Sequence, residues 1–343
     1  METVSDLLDD VRTQIEADDA ALKEARERLA FVRSKAESFY GALRSYQSGS
    51  LAAHTMNEPV TDGDGGLVLN RNYYPGLGPE GTGTEAPGEI VSELIDHLRP
   101  LIREEYPDAK MHTSKRGPKI HFHAPLDDGT DPTVDLVLAL TRKEGEGIWI
   151  PNLEADTWEP SDPEQHIALF NGDAAGFRST RRKIMRLAKA WNKQYVTPGA
   201  SSFEMCVWGY EFTESGMGVP KGLQALFDNA AARLEAGKPT PDPAHVSKNL
   251  KLLIEPATMA VRLRKAATHL QDALDASTDE DAVRAGVSGA FWKYIDAPET
   301  SALSSAATSL KASTPVAATA LGIPVTGNTA GASAARAYGD SRQ

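Results

Sequence analysis

The chain has 343 residues, of which 41% are hydrophobic and 24% are charged, an ordinary globular composition long enough for two packed lobes. Its net charge of −12 argues against strong, sequence-independent binding to nucleic acid, so a polyphosphate ligand would need a local positive patch or metal ions. The single cysteine, Cys206, excludes an intrachain disulfide and predicts a small core residue in a reducing compartment. The acidic start and the lack of a long apolar run predict neither a signal peptide nor a membrane span, which favours a cytoplasmic protein.

The first predicted element is one long amphipathic helix over residues 3–45. Its apolar positions follow alternating steps of three and four: Val4, Leu8, Val11, Ile15, Leu22, Ala25, Leu29, Val32, Ala36, Phe39 and Leu43. Asp18 is the one break in this pattern. Such a helix is either a coiled-coil arm or a spine along two lobes, and Ala25 and Ala36 favour the spine because small residues suit close packing on a domain. Residues 1–46 are therefore assigned to a spine helix.

Residues 47–160 predict a sheet lobe. The segment "GLVLN" reads as a short strand, and "EIVSELIDHLRPLIREEY" reads as an amphipathic helix after a Gly/Pro-rich loop. The segment "PKIHFHAP" alternates like a strand, "TVDLVLAL" has the apolar character of a buried strand, and "GIWIPN" is one more. Helix, strand, helix and then several strands indicate an α+β fold.

Residues 161–296 predict a helical lobe. Ser161 or Asp162, with Pro163 behind it, is a typical helix start. The further helices are predicted over residues 179–195, 221–236, 246–275 and 278–295. Residues 297–343 are mainly Ala, Ser, Thr and Gly, which cannot bury enough surface to form a core, and this composition predicts a flexible tail.

Three aspartates form a candidate metal site. Asp62 and Asp64 flank Gly63 at the edge of the "GLVL" strand, and residues two apart on a strand point to the same face. Asp135 lies inside the apolar "TVDLVLAL", where a lone buried carboxylate is unfavourable unless it is paired or bound to metal. Together the three side chains offer the oxygen ligands that hard divalent cations prefer.

Each part of this site also has a simpler interpretation. Alone, "DGDGG" is a common turn sequence, and Asp135 could cap a strand or form half of a salt bridge. The combination with the upstream pair Gly49-Ser50 favours the metal site. Gly49 lets the backbone approach a phosphate closely, and the hydroxyl and N–H of Ser50 can donate to it.

Residues 178–195 carry seven cations and no acid. One stripe of this predicted helix consists of Arg182, Arg186, Lys189 and Lys193. A charge run is usually a solvated face, but in an acidic protein it is also where a triphosphate would be attracted. Elsewhere, His121 and His123 flank Phe122, and because no cysteine or spaced carboxylates accompany them, an exposed strand face is favoured over a transition-metal site.

The order of these motifs resembles a known superfamily. The segments "GSLAAHT…TDGDGGLVL" and "TVDLVLAL" are similar to the polymerase-β-like nucleotidyltransferase core, with its Gly-Ser pair, Asp-x-Asp strand end and later single Asp. The segment "RRKIMRLAKAWNKQY" followed by "ASSFEMCVWGYE" looks like the helical lobe of oligoadenylate synthases, cyclic GMP–AMP synthase and the bacterial CD-NTases. The resemblance covers roughly residues 1–295 and implies a sheet lobe and a helical lobe joined by the long amino-terminal helix.

The resemblance also implies roles for particular residues. The implied metal and catalytic set is Asp62, Asp64 and Asp135. The implied nucleotide-binding set is Gly49, Ser50, Lys189, Ser202 and Phe203, of which Phe203 fits a core position equally well. The ions would be two Mg²⁺, or Mn²⁺ in their place, about 3.5–4 Å apart, and the substrates would be nucleoside triphosphates, ATP or GTP first.

The implied function is the joining of nucleoside triphosphates into a cyclic oligonucleotide signal, with a separate effector protein, and in some cases a regulatory partner, in bacterial anti-phage signalling. Synthesis of linear oligomers, nucleotidylation of an RNA or protein, and a catalytically inactive interaction protein assembling through its spine helix remain as alternatives. Two departures from the superfamily pattern stand out. Gly63 takes a position that is usually apolar, and the gap between Gly49-Ser50 and Asp62 is long.

Overall fold

The computed structural model describes residues 2–83, 85–276 and 278–298. The chain begins with two helices, α1 (Val4–Gln14) and α2 (Asp19–Ala36). The expected single helix over residues 3–45 is therefore wrong. Asp18, the residue that breaks the apolar pattern, caps α2 by accepting a hydrogen bond from the backbone N–H of Ala21 at 2.9 Å.

The predicted spine helix also ends too late, because residues 42–48 form a strand. Phe39 is buried in the turn that follows α2, whereas Leu43 is 50% exposed, so the steps of three and four continue there by coincidence. Ala25 and Ala36 are fully buried against the sheet lobe. This packing agrees with a helix that lies along the protein rather than one that projects from it.

Within the described residues, one sheet contains seven strands. They are β1 (Ala42–Ser48), β2 (Asp62–Leu69), β3 (Lys110–Thr113), β4 (Pro118–His121), β5 (Thr133–Thr141), β6 (Ile148–Asn152) and β7 (Thr157–Ser161). The order across the sheet is β1-β2-β5-β4-β3, with β6 joined to β5 and β7 joined to β6. Strands β2 and β5 are parallel, and the other pairs are antiparallel. The sequence pattern did not indicate β1, β3 or β7, which are short or lack clean alternation.

The helical lobe is built from the second half of the chain. The remaining helices are α3 (Gly49–Ala53), α4 (Pro87–Arg103), α5 (Pro163–Asn171), α6 (Ala175–Lys193), α7 (Ser202–Phe212), α8 (Val219–Glu235), α9 (Pro256–Asp275) and α10 (Glu280–Ala290). Asp162 caps α5 as expected. The predicted helix over residues 246–275 is wrong in its first ten residues, because α9 begins only at Pro256.

Two large cores divide the packing. The first, in the helical lobe, contains Ile184, Trp191 and Phe227 and also takes in Leu7 and Leu8 of α1. The second lies between the sheet and the helices α2 and α4. The amino-terminal helices therefore belong to different cores, α1 to the helical lobe and α2 to the sheet. The domain limits 47–160 and 161–296 remain predictions.

No helix among the described residues is long and apolar enough to cross a membrane. The predicted flexible tail, residues 297–343, lies outside the described residues apart from its first two positions.

Candidate active site

The three predicted aspartates meet on one face of the sheet. Asp64 on β2 lies directly opposite Asp135 on the parallel strand β5, and Asp62 lies two residues before Asp64. One carboxylate oxygen from each of the three lies within 4.8 Å of the others. The buried face of the same strands is apolar, with Val134 and Leu136 packed in the sheet core. Strand alternation alone therefore sends the carboxylates to the open side.

The electrostatics of Asp64 show that this cluster lacks compensating positive charge. Burial, together with the neighbouring charges of Asp62 and Asp135, raises the pKa of Asp64 from its ordinary value of 3.8 to about 6. Lys119 on β4 donates to Asp135 Oδ2 at 2.7 Å and compensates part of the negative charge. A single lysine does not balance three carboxylates, and this is the condition under which a divalent cation binds.

Gly49 lies so close to Asp64 that there is no space for a side chain at residue 49. A Cβ atom at residue 49 would lie 1.9 Å from Asp64 Oδ2, and the backbone φ of +65° also favours glycine. The glycine therefore allows the chain between β1 and α3 to pass directly beside a carboxylate. No other residue fits there without moving Asp64.

Gly63, the departure from the superfamily pattern, faces away from the carboxylates. A Cβ atom there would approach the carbonyl oxygen of Ala25 and the Cβ of Leu29 at 3.2 Å each, both on α2. The glycine therefore lets α2 pack closely on β2, and its effect on the carboxylate side is indirect. The packing of α2 explains why this chain has no larger apolar residue at position 63.

Lys189 lies beneath the Gly-Ser turn instead of on the surface. It is 3% exposed, and its ammonium group donates to Ser50 Oγ at 2.9 Å and to the carbonyl oxygen of Thr55 at 2.8 Å. Burial lowers the pKa of Lys189. Because Ser50 Oγ accepts from a cation, its own hydrogen remains available to donate to a ligand.

The other cations of α6 are mostly used inside the protein. Arg181 is buried, pairs with Asp173 and donates from Nη2 to the carbonyl oxygen of Thr213 at 2.9 Å. Arg186 donates to Asn57 Oδ1 at 3.0 Å and to the carbonyl oxygen of Ile15 at 3.1 Å. The basic stripe predicted from the sequence is therefore largely a set of structural contacts between α6, the amino-terminal helices and the Gly-Ser loop.

A cavity of about 390 Å³ adjoins the carboxylates. Five of the eight predicted residues line it, namely Gly49, Ser50, Asp64, Ser202 and Phe203. Ser202 is the first residue of α7, and the preceding Ser201 caps that helix. The volume is typical of a small-molecule site, and apolar residues of the helical lobe form one wall while the sheet edge provides the polar end.

His166 also lines this cavity, although no sequence motif indicates it. Its Nε2 lies 2.6 Å from Asp242 Oδ1, and its ring centroid lies 4.8 Å from that of Phe203. Burial alone would raise the pKa of Asp242, but hydrogen bonds from Ser247 N–H and from His166 outweigh it and hold the pKa below its ordinary value. The carboxylate of Asp242 orients the imidazole, so that Nε2 faces Asp242 and Nδ1 is the other ring nitrogen. His166 and Asp242 are 76 residues apart, so no local motif joins them.

The donor set fits hard divalent cations. It consists of carboxylate oxygens on rigid strands, with an excess of negative charge and a glycine that keeps the space beside Asp64 Oδ2 open. No further group of three or more such ligands occurs in the part of the chain that the structure describes.

Comparison with known proteins supports the fold. No protein-family profile matches the sequence, and no curated protein matches it. CdnC of E. coli MS115-1, solved with ATP, superposes with a TM-score of 0.63 at 16% identity, over 84% of this chain and 98% of that one. The CD-NTase CdnG of Bradyrhizobium diazoefficiens, in complex with GTP, superposes with a TM-score of 0.61 at 14% identity, over 84% of this chain and 95% of that one. DncV of Vibrio cholerae in its GTP-bound form superposes with a TM-score of 0.54 at 17% identity, over 86% of this chain and 81% of that one. The α+β fold class is thereby confirmed, and the chain has the fold of these proteins.

Proposed function

We propose that this chain is a metal-dependent nucleotidyltransferase that joins nucleoside triphosphates, with release of pyrophosphate, into a cyclic di- or oligonucleotide. The observation that carries the proposal is the meeting of Asp62, Asp64 and Asp135 at the polar end of a cavity of nucleotide size. Neither the carboxylates nor the cavity alone indicates this reaction. Their adjacency provides one place for the reacting phosphate and another for the nucleoside that carries it.

Asp62, Asp64 and Asp135 would hold two Mg²⁺ ions, which when bound polarise the phosphoryl oxygens and lower the pKa of an attacking hydroxyl. The protein fixes the carboxylates on neighbouring strands before any ligand arrives. Asp135 stands on the side of the cluster away from the cavity and beside Lys119. This position suits a group that accepts the proton of an acceptor ribose hydroxyl approaching from that side.

The donor nucleotide would occupy the cavity. Its triphosphate would lie at Gly49 and Ser50, where the hydroxyl hydrogen of Ser50 is directed away from Lys189. Its base would lie against Phe203, with Nδ1 of His166 able to accept a hydrogen bond from a base N–H. Lys189 would act by positioning and polarising Ser50, and Ser202 would add a hydroxyl between the two ends of the cavity.

The fold supports a cyclic product. DncV of Vibrio cholerae is a cyclic AMP–GMP synthase, and structures with this fold contain ATP or GTP. By analogy, the chain would use ATP or GTP, and a separate effector protein would bind the product in bacterial anti-phage signalling. The analogy extends to a cytoplasmic location and to control by a regulatory partner.

Incubation of the purified protein with labelled nucleoside triphosphates and Mg²⁺, followed by phosphatase and mass spectrometry, tests the proposal. A phosphatase-resistant product whose mass corresponds to a closed ring is expected. A phosphatase-sensitive ladder would instead indicate linear synthesis. Labelled RNA or protein would indicate transfer to a macromolecule. Lack of turnover with Mg²⁺ and Mn²⁺, despite normal triphosphate binding, would refute the enzyme and favour an interaction protein.

A further inference from the structure

The open face of the sheet continues beyond the carboxylates as two rows of side chains. Strand register places Asp64, Asp135, Lys119 and His112 directly opposite one another across β2, β5, β4 and β3. A second row begins with Asp62 opposite Thr133 and ends with His121 opposite Lys110. Directly paired residues share one face of a sheet. The surface thus changes from acidic to basic within a distance of two strands, or roughly 10 Å.

The group formed by Lys110, His112, Lys119 and His121 is called here the basic sheet edge. Lys110 and His112 are exposed, and Lys119 and His121 are partly buried. The ring centroids of His112 and His121 are 5.4 Å apart. Lys110 pairs with His121 through the backbone, but its side chain has neither a hydrogen bond nor an ion pair among the residues that the structure describes. By contrast, Lys115 and Arg116 in the adjoining turn pair with Glu154 and Glu159.

Two lysines and two imidazoles therefore lie together at this edge in a protein whose net charge is −12. Burial, followed by His112 and Lys119, lowers the pKa of His121, and Asp135 offsets part of this, so His121 contributes an imidazole and not a fixed positive charge. Lys119 has Asp135 as its partner, whereas Lys110, His112 and His121 have no ion pair with a carboxylate in the described chain. An anionic ligand would supply the counter-charge and the hydrogen-bond acceptors that these three side chains lack.

We propose that the basic sheet edge binds the 5′-triphosphate of the acceptor nucleotide. The inference rests on the proposed function, which assigns the cavity to the donor and the vicinity of Asp135 to the acceptor hydroxyl. In a nucleotide, only a few covalent bonds separate the ribose hydroxyls from the 5′-phosphates. An acceptor whose hydroxyl lies at Asp135 can therefore extend its phosphates across Lys119 towards His112 and Lys110. The cavity side is not available for these phosphates, because the donor occupies it.

The double variant Lys110→Ala, His112→Ala tests this site, with Lys115→Ala as the matched control on the same hairpin. Formation of the first linkage is measured with a triphosphate acceptor and with the corresponding unphosphorylated nucleoside. The double variant should lower kcat/KM about tenfold for the triphosphate acceptor and leave the nucleoside acceptor unchanged. The control should match the wild type with both acceptors. An equal loss with both acceptors, or no loss with either, would overturn the proposal.

Calorimetry with a nonhydrolysable nucleoside triphosphate gives a readout that does not depend on turnover. The wild type should bind two equivalents, and the double variant should bind the second about tenfold more weakly. A second equivalent that is unaffected by the double variant contradicts the assignment. If the wild type makes no phosphodiester bond but its second equivalent still depends on Lys110 and His112, the proposed function fails and the phosphate site stands.

Discussion

The carboxylates of the sheet and the cations of α6 are both charged clusters, but they are built in opposite ways. Asp62, Asp64 and Asp135 are like charges held together by strand register, and the pKa of Asp64 rises to about 6 as a result. Lys189 and Arg181 are buried cations whose donors are directed at oxygens of the protein itself.

This difference separates charge that is available for a ligand from charge that is used in folding. The sequence showed a run of seven cations and suggested that they attract a triphosphate. The structure shows that several of them satisfy backbone and side-chain oxygens, whereas the acidic cluster has Lys119 as its ion-pair partner in the described chain. The unsatisfied cluster is the better indicator of chemistry.

The largest expected effect follows from removing one carboxylate. Asp64→Asn should reduce product formation by at least about 10³-fold, because a metal ligand at the reacting phosphate is lost. The same substitution should raise the melting temperature in EDTA, since it removes one of three repelling charges. Calorimetry of both proteins in EDTA and in Mg²⁺ measures this. A lower melting temperature in EDTA would contradict the account of an uncompensated cluster.

Arg181→Met should reduce the stability of the protein and leave its activity intact, the opposite of what is expected for Asp64→Asn. It should destabilise the fold by about 3 kcal/mol, because Asp173 and the carbonyl oxygen of Thr213 lose a buried partner. The KM for nucleoside triphosphate should stay unchanged at a temperature where the variant is folded. Lys189→Met is the matched change at the other buried cation, and it should also raise KM, about tenfold, because it alters Ser50. Equal KM values for the two variants would remove the distinction between them.

The raised pKa of Asp64 should be visible in the pH dependence of the free energy of unfolding. Its pKa in the folded protein, about 6, lies above its ordinary value of 3.8. An acid with a raised folded pKa contributes stability at low pH that is lost as the pH rises through the folded value. Without metal, the stability of the wild type relative to Asp64→Asn should therefore fall between about pH 4 and pH 7 by at most about 3 kcal/mol. Denaturant titrations of both proteins across that range, in EDTA, check the sign. A difference that stays constant with pH would rule out the raised pKa.

Gly49→Ala should lower kcat about 10²-fold, although it replaces none of the charged residues in either cluster. The added methyl group would lie 1.9 Å from Asp64 Oδ2 and displace that carboxylate, and misplacement of a reacting group by about 1 Å has an effect of this size. Steady-state kinetics and the Mg²⁺ dependence should show weaker metal affinity. Gly88→Ala is a suitable control, since a Cβ at residue 88 meets nothing within 4 Å. Wild-type kinetics for Gly49→Ala would show that Asp64 tolerates displacement.

The smallest effect is expected at Gly63. Gly63→Ala should destabilise the protein by about 1 kcal/mol, because the methyl group presses on Ala25 and Leu29 of α2, and kcat per folded molecule should stay near the wild-type value. Urea denaturation and kinetics of the same preparation separate the two quantities. A loss of activity larger than the loss of folded protein would show that position 63 acts on the carboxylates after all.

The sequence predicted those features that depend on local pattern. Strand alternation placed Asp62, Asp64 and Asp135 correctly on the open face, because a period of two holds even where the ends of the strand are uncertain. The helical spacing of three and four was misleading at the end of the amino-terminal helix, because Leu43 continues the apolar pattern but lies in strand β1. Pairing with β2, far along the chain, decides the structure of that segment, and local spacing carries no information about it.

The sequence predicted that Cys206 is buried, but it could not predict the partners of Lys189 and His166. Whether Lys189 faces a ligand or Ser50 depends on how α6 packs on the Gly-Ser loop. The contact between His166 and Asp242 requires helix α5 to meet the loop that follows α8. Both contacts are consequences of tertiary packing, which cannot be read from the local patterns of a single sequence.

The division of the amino-terminal helices between the two cores also has a consequence for folding. Helix α1 precedes the other described elements in the chain, yet its packing partners are α6, α8 and α10, which all lie in the second half. Helix α2 finds its partners much sooner, in β1, β2 and α4. The sheet lobe can thus form during translation, whereas the helical lobe must wait until α10 has been made and can meet α1. Docking of α1 is then a late step in folding, although α1 comes before both lobes in the sequence.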